Sequence, residues 1–129
     1  MASQRLLMVD DEPEIGVLVK KIAEGLDGYE ICFTHRADAF QAAYRSFHPH
    51  VIILDLAIPD IDGVELLKFL AGESCRAHIL LLSGLDKKMC NVVLNLGVAR
   101  GLNMAGFVLK PVRAAELRSI LADLKEEGK

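Results

Sequence analysis

Five residues with reactive side chains stand directly after short apolar runs. Asp10 and Asp11 follow Leu6-Leu7-Met8-Val9, Asp55 follows Val51-Ile52-Ile53-Leu54, Ser83 follows Ile79-Leu80-Leu81-Leu82, and Lys110 follows Phe107-Val108-Leu109. A short apolar run bounded by turn signals suits a strand buried on both faces of a parallel sheet. The residue after it lies at the carboxyl edge, where such sheets place their chemistry. Three carboxylates gathered in one crevice repel one another and raise at least one pKa unless a cation joins them. An oxygen-only set favours a hard divalent ion, so magnesium with retained waters is the expected cofactor and manganese a substitute. The other groups suit a phosphoryl group, whose in-line transfer needs a nucleophile plus donors or cations at the equatorial oxygens. Asp55 offers a carboxylate nucleophile, Lys110 a cation for one phosphate oxygen, and the Ser83 hydroxyl a donor for another. Each also has a plainer reading: Asp55 as a turn cap, Ser83 as a helix cap, Lys110 as a surface amine, and Asp10-Asp11 as a helix-start pair.

The elements that must position these residues alternate. Strands are expected at 5–9, 30–34, 51–55, 79–82 and 106–109. Helices are expected at 13–26 with Asp11 or Glu12 as cap, 36–46, 64–70 with Asp62 as cap, 86–100 and 113–127. Apolar residues recur at helical spacing. Ala39, Phe40, Ala43 and Phe47 are set against the sheet from the second helix, and Leu66, Leu67 and Leu70 from the third. The fourth presents Met89, Val92, Val93, Leu96 and Ala99 or Arg100, and the fifth Ala114, Leu117, Ile120, Leu121 and Leu124. Five strands alternating with five helices predict an α/β fold, an open parallel sheet covered on both faces.

The bulk numbers exclude several classes. With 129 residues the chain makes one domain, and 52% apolar content supports a packed core. A formal net charge of −3 gives no positive stripe for nucleic acid or an anionic membrane. No apolar run approaches the roughly 20 residues of a membrane span, and no signal-like segment precedes the first strand, so a cytoplasmic location is expected. Cys32, Cys75 and Cys90 form no C-x-x-C, and the four histidines lack zinc-site spacing. His48-Pro49-His50 reads as the loop before a strand. No glycine-rich dinucleotide fingerprint follows the first strand.

Together Asp10-Asp11, Asp55, Pro59, Gly63, Ser83-Gly84, Phe107 and Lys110-Pro111 form a pattern. In these residues the chain resembles the receiver domain of bacterial two-component response regulators over 5–127. The resemblance implies a flavodoxin-like doubly wound sheet of strand order 2-1-3-4-5. It implies phosphorylation of Asp55 by a sensor histidine kinase or histidine phosphotransfer protein. It also implies magnesium held by Asp11, Asp55 and the backbone carbonyl of Ala57, with Asp10 acting mostly through water, and a cis bond at the corner Lys110-Pro111. The implied switch runs from phosphate through Ser83 and Gly84 to Phe107, an aromatic that turns from exposed to buried. The output surface is then the fourth helix, fifth strand and fifth helix, which also offers a homodimer contact.

Two departures qualify the pattern. The 27 positions from Ser83 to Lys110 exceed a typical receiver, the excess lying in 91–106. There the chain is similar to receivers attached to EAL-type cyclic-di-GMP phosphodiesterases, which implies an N-terminal domain of a longer regulator; a tolerated extension of one helical turn and a loop is the alternative. Ala57 and Leu85, the expected phosphate-flanking residues, cannot orient an attacking water, so slow phosphoryl loss is expected. The chain is then a switch and not an enzyme acting on a diffusible substrate. The rivals are a phosphate-independent interaction module of the same fold and a small magnesium-dependent phosphatase-like hydrolase. The latter is disfavoured because such enzymes carry the nucleophile after the first strand.

Overall fold

The computed structural model describes residues 4–57 and 63–127. Ten elements alternate: β1 (Gln4–Val9), α1 (Pro13–Leu26), β2 (Tyr29–Thr34), α2 (Ala37–Phe47), β3 (Val51–Asp55), α3 (Gly63–Gly72), β4 (His78–Ser83), α4 (Lys87–Ala99), β5 (Asn103–Leu109) and α5 (Ala114–Glu127). All the strand pairs are parallel, as the alternation of strands and helices predicts, and the order is β2-β1-β3-β4-β5, as the resemblance implies. The expected cap Asp62 and the turn residue Pro59 lie outside the described residues. No helix among the described residues is long and apolar enough to cross a membrane.

The two-residue period of a strand sends alternate side chains to opposite faces, and here both faces are covered. Leu7, Val9, Ile52, Leu54, Ile79 and Leu81 face Phe40 of α2, Leu66, Leu67 and Leu70 of α3 and Val93 of α4. Leu6, Met8, Val51, Ile53, Leu80 and Leu82 face Val19 and Ile22 of α1 and Leu117, Leu121 and Leu124 of α5. Every residue of β3 is buried. Truncating such a buried leucine to alanine costs about 2–5 kcal/mol, because the lost transfer energy adds to an unfilled cavity. Asp55 is therefore the end of a strand buried along its whole length.

Several details differ from the sequence expectations. In α4 the buried residues are Cys90, Val93 and Gly97, while Met89, Val92 and Leu96 are 46%, 48% and 39% exposed. Gly97 explains the choice. A Cβ there would lie 2.4 Å from the Met104 sulfur of β5, so α4 approaches the sheet along its smallest residue and turns its larger apolar stripe outward. In α2 the buried residues are Ala37 and Phe40, and Ala39 is exposed. In α5 Ala114 is exposed, one turn ahead of buried Leu117.

The extra length before Lys110 is partly strand. β5 begins at Asn103, and its pairing with β4 shifts so that Met104 opposes Ile79 and Gly106 opposes Leu80, leaving Ala105 as a bulge. Gly106 has φ +137°, a backbone conformation open to glycine and closed to most side chains. The start of α4 is better defined than expected, since the Asp86 carboxylate accepts the Met89 N–H at 2.8 Å. At α1 the expected residue Glu12 occupies the N-cap position, but its side chain makes no capping hydrogen bond.

Candidate functional site

Parallel register brings the strand ends together. Val9 pairs with Leu54, Asp55 with Leu82, and Ser83 with Leu109, so the residues that follow share one rim. Asp10, Asp55 and Ser83 are completely buried there, while Asp11 is exposed. Carboxylate oxygens of Asp10, Asp11 and Asp55 all lie within 4.8 Å of one another. Lys110 reaches into the same space from the end of β5: its Nζ is 3.5 Å from Asp10 Oδ2 and 3.4 Å from Asp55 Oδ2. The sequence-predicted acids and the lysine do meet.

Asp10 and Asp55 each have one oxygen fixed by a backbone N–H and one without a hydrogen bond. Asp10 Oδ1 accepts the Glu12 N–H at 2.9 Å, and Asp55 Oδ1 accepts the Ala57 N–H at 3.1 Å. Asp10 Oδ2 and Asp55 Oδ2 are buried and have no hydrogen-bond partner. Buried carboxylate oxygens without a hydrogen bond, sharing one lysine at 3.4–3.5 Å, cost free energy, and a cation bound between them lowers that cost. The donor set is carboxylate oxygen alone, which fits a hard divalent ion of the magnesium class.

The electrostatics carry the same message. Burial raises the Asp10 pKa to about 6; the Glu12 N–H opposes the rise, the Asp55 charge adds to it, and Lys110 partly offsets it. For Lys110, burial disfavours the ammonium but Glu12, Asp55 and Asp10 outweigh it, and the pKa rises above the ordinary lysine value. One cation thus serves three acids.

Glu12 is the residue that sequence reasoning missed, having been assigned only as a helix cap. Its Oε1 takes the shortest of the three Lys110 contacts, 2.9 Å. The signal was present in the unbroken Asp10-Asp11-Glu12 run, where a third acid adjoins the pair. Thr34 also contributes without having been singled out: its carbonyl accepts the Asp10 N–H, and its hydroxyl donates to the Met8 carbonyl at 2.7 Å.

The remaining predicted residues surround the acids. Ser83 Oγ accepts the Leu85 N–H at 2.9 Å, and the Lys110 N–H donates to the Ser83 carbonyl at 2.8 Å. Ser83 is thus the last residue of β4 and not a helix cap. Gly84 is exposed with open space where a Cβ would stand. Phe107, opposite Leu81 in the sheet, is half-buried, and with Lys110 it lines a cavity of about 450 Å³. The Lys110-Pro111 bond is cis. Ala57 and Leu85 are both exposed, and each donates its N–H to a site side chain, Asp55 and Ser83 respectively.

Comparison with known proteins gives one consistent answer. Residues 6–122 match the family model described as the response regulator receiver domain. The transcriptional regulatory protein TrcR of Mycobacterium tuberculosis is 31% identical over 93% of this chain and 44% of its own length. The DNA-binding response regulator MtrA of Mycolicibacterium smegmatis is 26% identical over 88% of this chain and 47% of its own length. The chain thus spans about half the length of these curated relatives. Among solved structures, a response regulator from Colwellia psychrerythraea superposes with TM-score 0.81 at 28% identity, covering 98% of this chain and 99% of that one. The receiver domain of the Francisella response regulator 1452 gives 0.83 at 22% identity over 98% of this chain and 100% of that one, a likeness of fold. The chain belongs to the response regulator receiver domain family, the phosphorylation-dependent switch of two-component signalling.

Proposed function

We propose that Asp55 is the phosphoacceptor, taking its phosphoryl group from the phosphohistidine of a sensor histidine kinase or histidine phosphotransfer protein. The observation that carries this reading is Asp55 Oδ2, which is buried, has no hydrogen-bond partner, and lies 3.4 Å from Lys110 Nζ. That oxygen attacks phosphorus, the P–N bond to the donor histidine breaks, and the imidazole leaves with its electron pair and takes up a proton. Magnesium would be held by Asp10, Asp11, Asp55 and the Ala57 backbone carbonyl, with manganese as a substitute. When bound, the metal neutralises charge on the transferring oxygens. Lys110 exchanges its Glu12 and carboxylate contacts for a phosphate oxygen, and the Ser83 hydroxyl donates to another.

The switch follows from the same contacts. Ser83 Oγ now holds the Leu85 N–H, so drawing the hydroxyl toward phosphate moves the β4–α4 loop through Gly84. Phe107 then settles inward and the α4, β5 and α5 face changes. Like receivers generally, the domain signals by this change and does not process a diffusible substrate. The exposed Met89, Val92, Leu96 and Leu109 make that face the proposed homodimer contact.

The partner domain is also a proposal. The relatives' greater length supports an output domain attached to this receiver, and their printed names support a DNA-binding one. The EAL-type phosphodiesterase reading rests on the stretch 91–106 alone and ranks second. DNA contact is assigned to the attached domain because this one carries a net charge of −3. A cytoplasmic location accompanies the reading, supported by three free thiols.

The test is intact-mass measurement after incubation with acetyl phosphate, with and without magnesium. One phosphoryl group gained only with metal, and none in Asp55→Asn, is the expected result. Equal labelling of the variant would overturn the assignment.

A further inference from the structure

The end of the domain opposite Asp55 carries a second concave site. A cavity of about 510 Å³ opens at the amino-terminal ends of β3 and β4, between the last turns of α2 and α3. Tyr44, Arg45, His48, His50, Arg76 and His78 line it. Three of the chain's four histidines meet here, though the net charge of the whole protein is negative. A volume in the range of small-molecule pockets, with three imidazoles and two guanidinium groups in its wall, points to a ligand of complementary chemistry.

The hydrogen bonds define that chemistry. The Arg5 N–H donates to His50 Nδ1 at 2.9 Å, and a backbone amide can only donate, so His50 carries its proton on Nε2. Burial, with the Arg5 charge second, lowers the His50 pKa and keeps this neutral tautomer. The Asn103 side-chain amide nitrogen stands 3.1 Å from His78 Nδ1; it too can only donate, which leaves His78 Nε2 as a donor. The two imidazoles are therefore set as N–H donors by their neighbours.

The charged groups lean the same way. Arg45 and Arg76 line the cavity, and the Arg5 guanidinium donates to the His48 carbonyl at 2.9 Å beside it. Glu73 is the one carboxylate in the lining, and Arg45 Nε already holds it at 3.0 Å. Arg76 is exposed and makes no ion pair among the described residues. Two guanidinium groups and three imidazoles outnumber the lining's carboxylate, and Arg45 pairs with that carboxylate through one oxygen, which leaves Arg76 as the unpaired charge among the described residues of the lining.

We propose that this cavity binds a small molecule bearing two or more phosphate or carboxylate groups. Guanidinium groups bind such oxyanions through paired, charge-assisted hydrogen bonds, and neutral N–H donors supply the remaining contacts. The ligand would sit at the start of the two strands that end in Asp55 and Ser83, joining α2, β3, α3 and β4. The proposal does not depend on phosphoryl acceptance at Asp55.

Amide NMR of the 129-residue chain in metal-free HEPES tests it, with pyrophosphate and citrate titrated separately. Saturable shifts at His48, His50, Arg76 and His78, with Asp10, Asp11 and Asp55 unmoved, are expected. Saturation by pyrophosphate alone identifies a phosphate ligand, by citrate alone a polycarboxylate, and by both either oxyanion. Arg76→Ala should weaken binding roughly tenfold or more, the value of a charge-assisted contact. Arg76→Ala lies at an exposed position and decides the matter even where His78→Ala disturbs folding. Shifts that stay linear with both anions, or an affinity unchanged in Arg76→Ala, would overturn the assignment.

Discussion

Replacing Asp10 with asparagine should make the metal-free protein more stable at neutral pH, although it removes one member of an ion pair. Asp10 is wholly buried, and burial, opposed by the Glu12 N–H and reinforced by Asp55, lifts its pKa from an ordinary 3.8 to about 6. The folded state therefore holds a proton across a range where the unfolded chain has lost it. Stability from this group is complete below the unfolded value and disappears as the pH climbs through the folded one. At about 1.4 kcal/mol per pKa unit, the ionised acid costs the fold up to about 3 kcal/mol by about pH 7.5. Of that, about 1.4 kcal/mol is lost between about pH 5 and about pH 7.5. Asparagine retains an oxygen for the Glu12 N–H, and Lys110 keeps Glu12 and Asp55 as partners. Urea unfolding in EDTA at the two pH values measures the difference. The variant should exceed the wild type by about 1–3 kcal/mol at the higher pH, with a smaller gap at the lower one. Added magnesium should then raise the wild type more than the variant, since a ligand of the native state stabilises in proportion to its affinity. An asparagine variant no more stable than wild type at neutral pH, or a gap that ignores pH, would refute the picture of a cation-starved acid cluster.

Lys110→Ala should weaken beryllofluoride binding by about 1.5–3 kcal/mol, roughly ten- to a hundred-fold, as one charged hydrogen bond to the bound anion is lost. Fluorescence or NMR titration in magnesium reads this directly, and an unchanged affinity would remove Lys110 from the phosphate site. The phosphorylated domain alone should lose its phosphoryl group over minutes or longer, because Ala57 and Leu85 offer no group to orient water; phosphate release within seconds would contradict this. Gly63→Ala should destabilise by about 1–3 kcal/mol, the usual cost of forcing atoms into a filled site. Its new Cβ would meet Leu56 Cδ2 at 2.5 Å and the Leu56 Cα at 3.0 Å, so backbone must move. Chemical denaturation checks it, and a neutral effect would mean that the Leu56 turn yields more freely than its burial suggests.

What the sequence made legible was mostly what a buried parallel sheet forces. Val51-Ile52-Ile53-Leu54 has no polar face to give, so it must be central, and that places Asp55 at the rim. The convergence of Asp10, Asp11, Asp55 and Lys110 followed from strand direction alone. Helix faces were less legible where apolar residues nearly encircle the helix. In α4 the sequence offers Met89, Val92 and Leu96 as readily as Cys90 and Val93, and only the close approach at Gly97 decides. The Ala105 bulge was hidden because its cause is a register mismatch with β4, a long-range fact. Glu12 stands at the cap position expected of it, but its contact with Lys110 was hidden for a related reason: the two lie 98 positions apart.

The central claim is that Asp55 takes a phosphoryl group in a pocket completed by a metal and Lys110. Borohydride reduction of the acetyl phosphate-treated protein, followed by peptide mass spectrometry, locates the acyl phosphate by converting that aspartate to homoserine. Homoserine at position 55 alone, and only when magnesium was present, is the predicted result. Conversion at Asp10 or Asp11, or at position 55 without regard to the metal, would contradict the account.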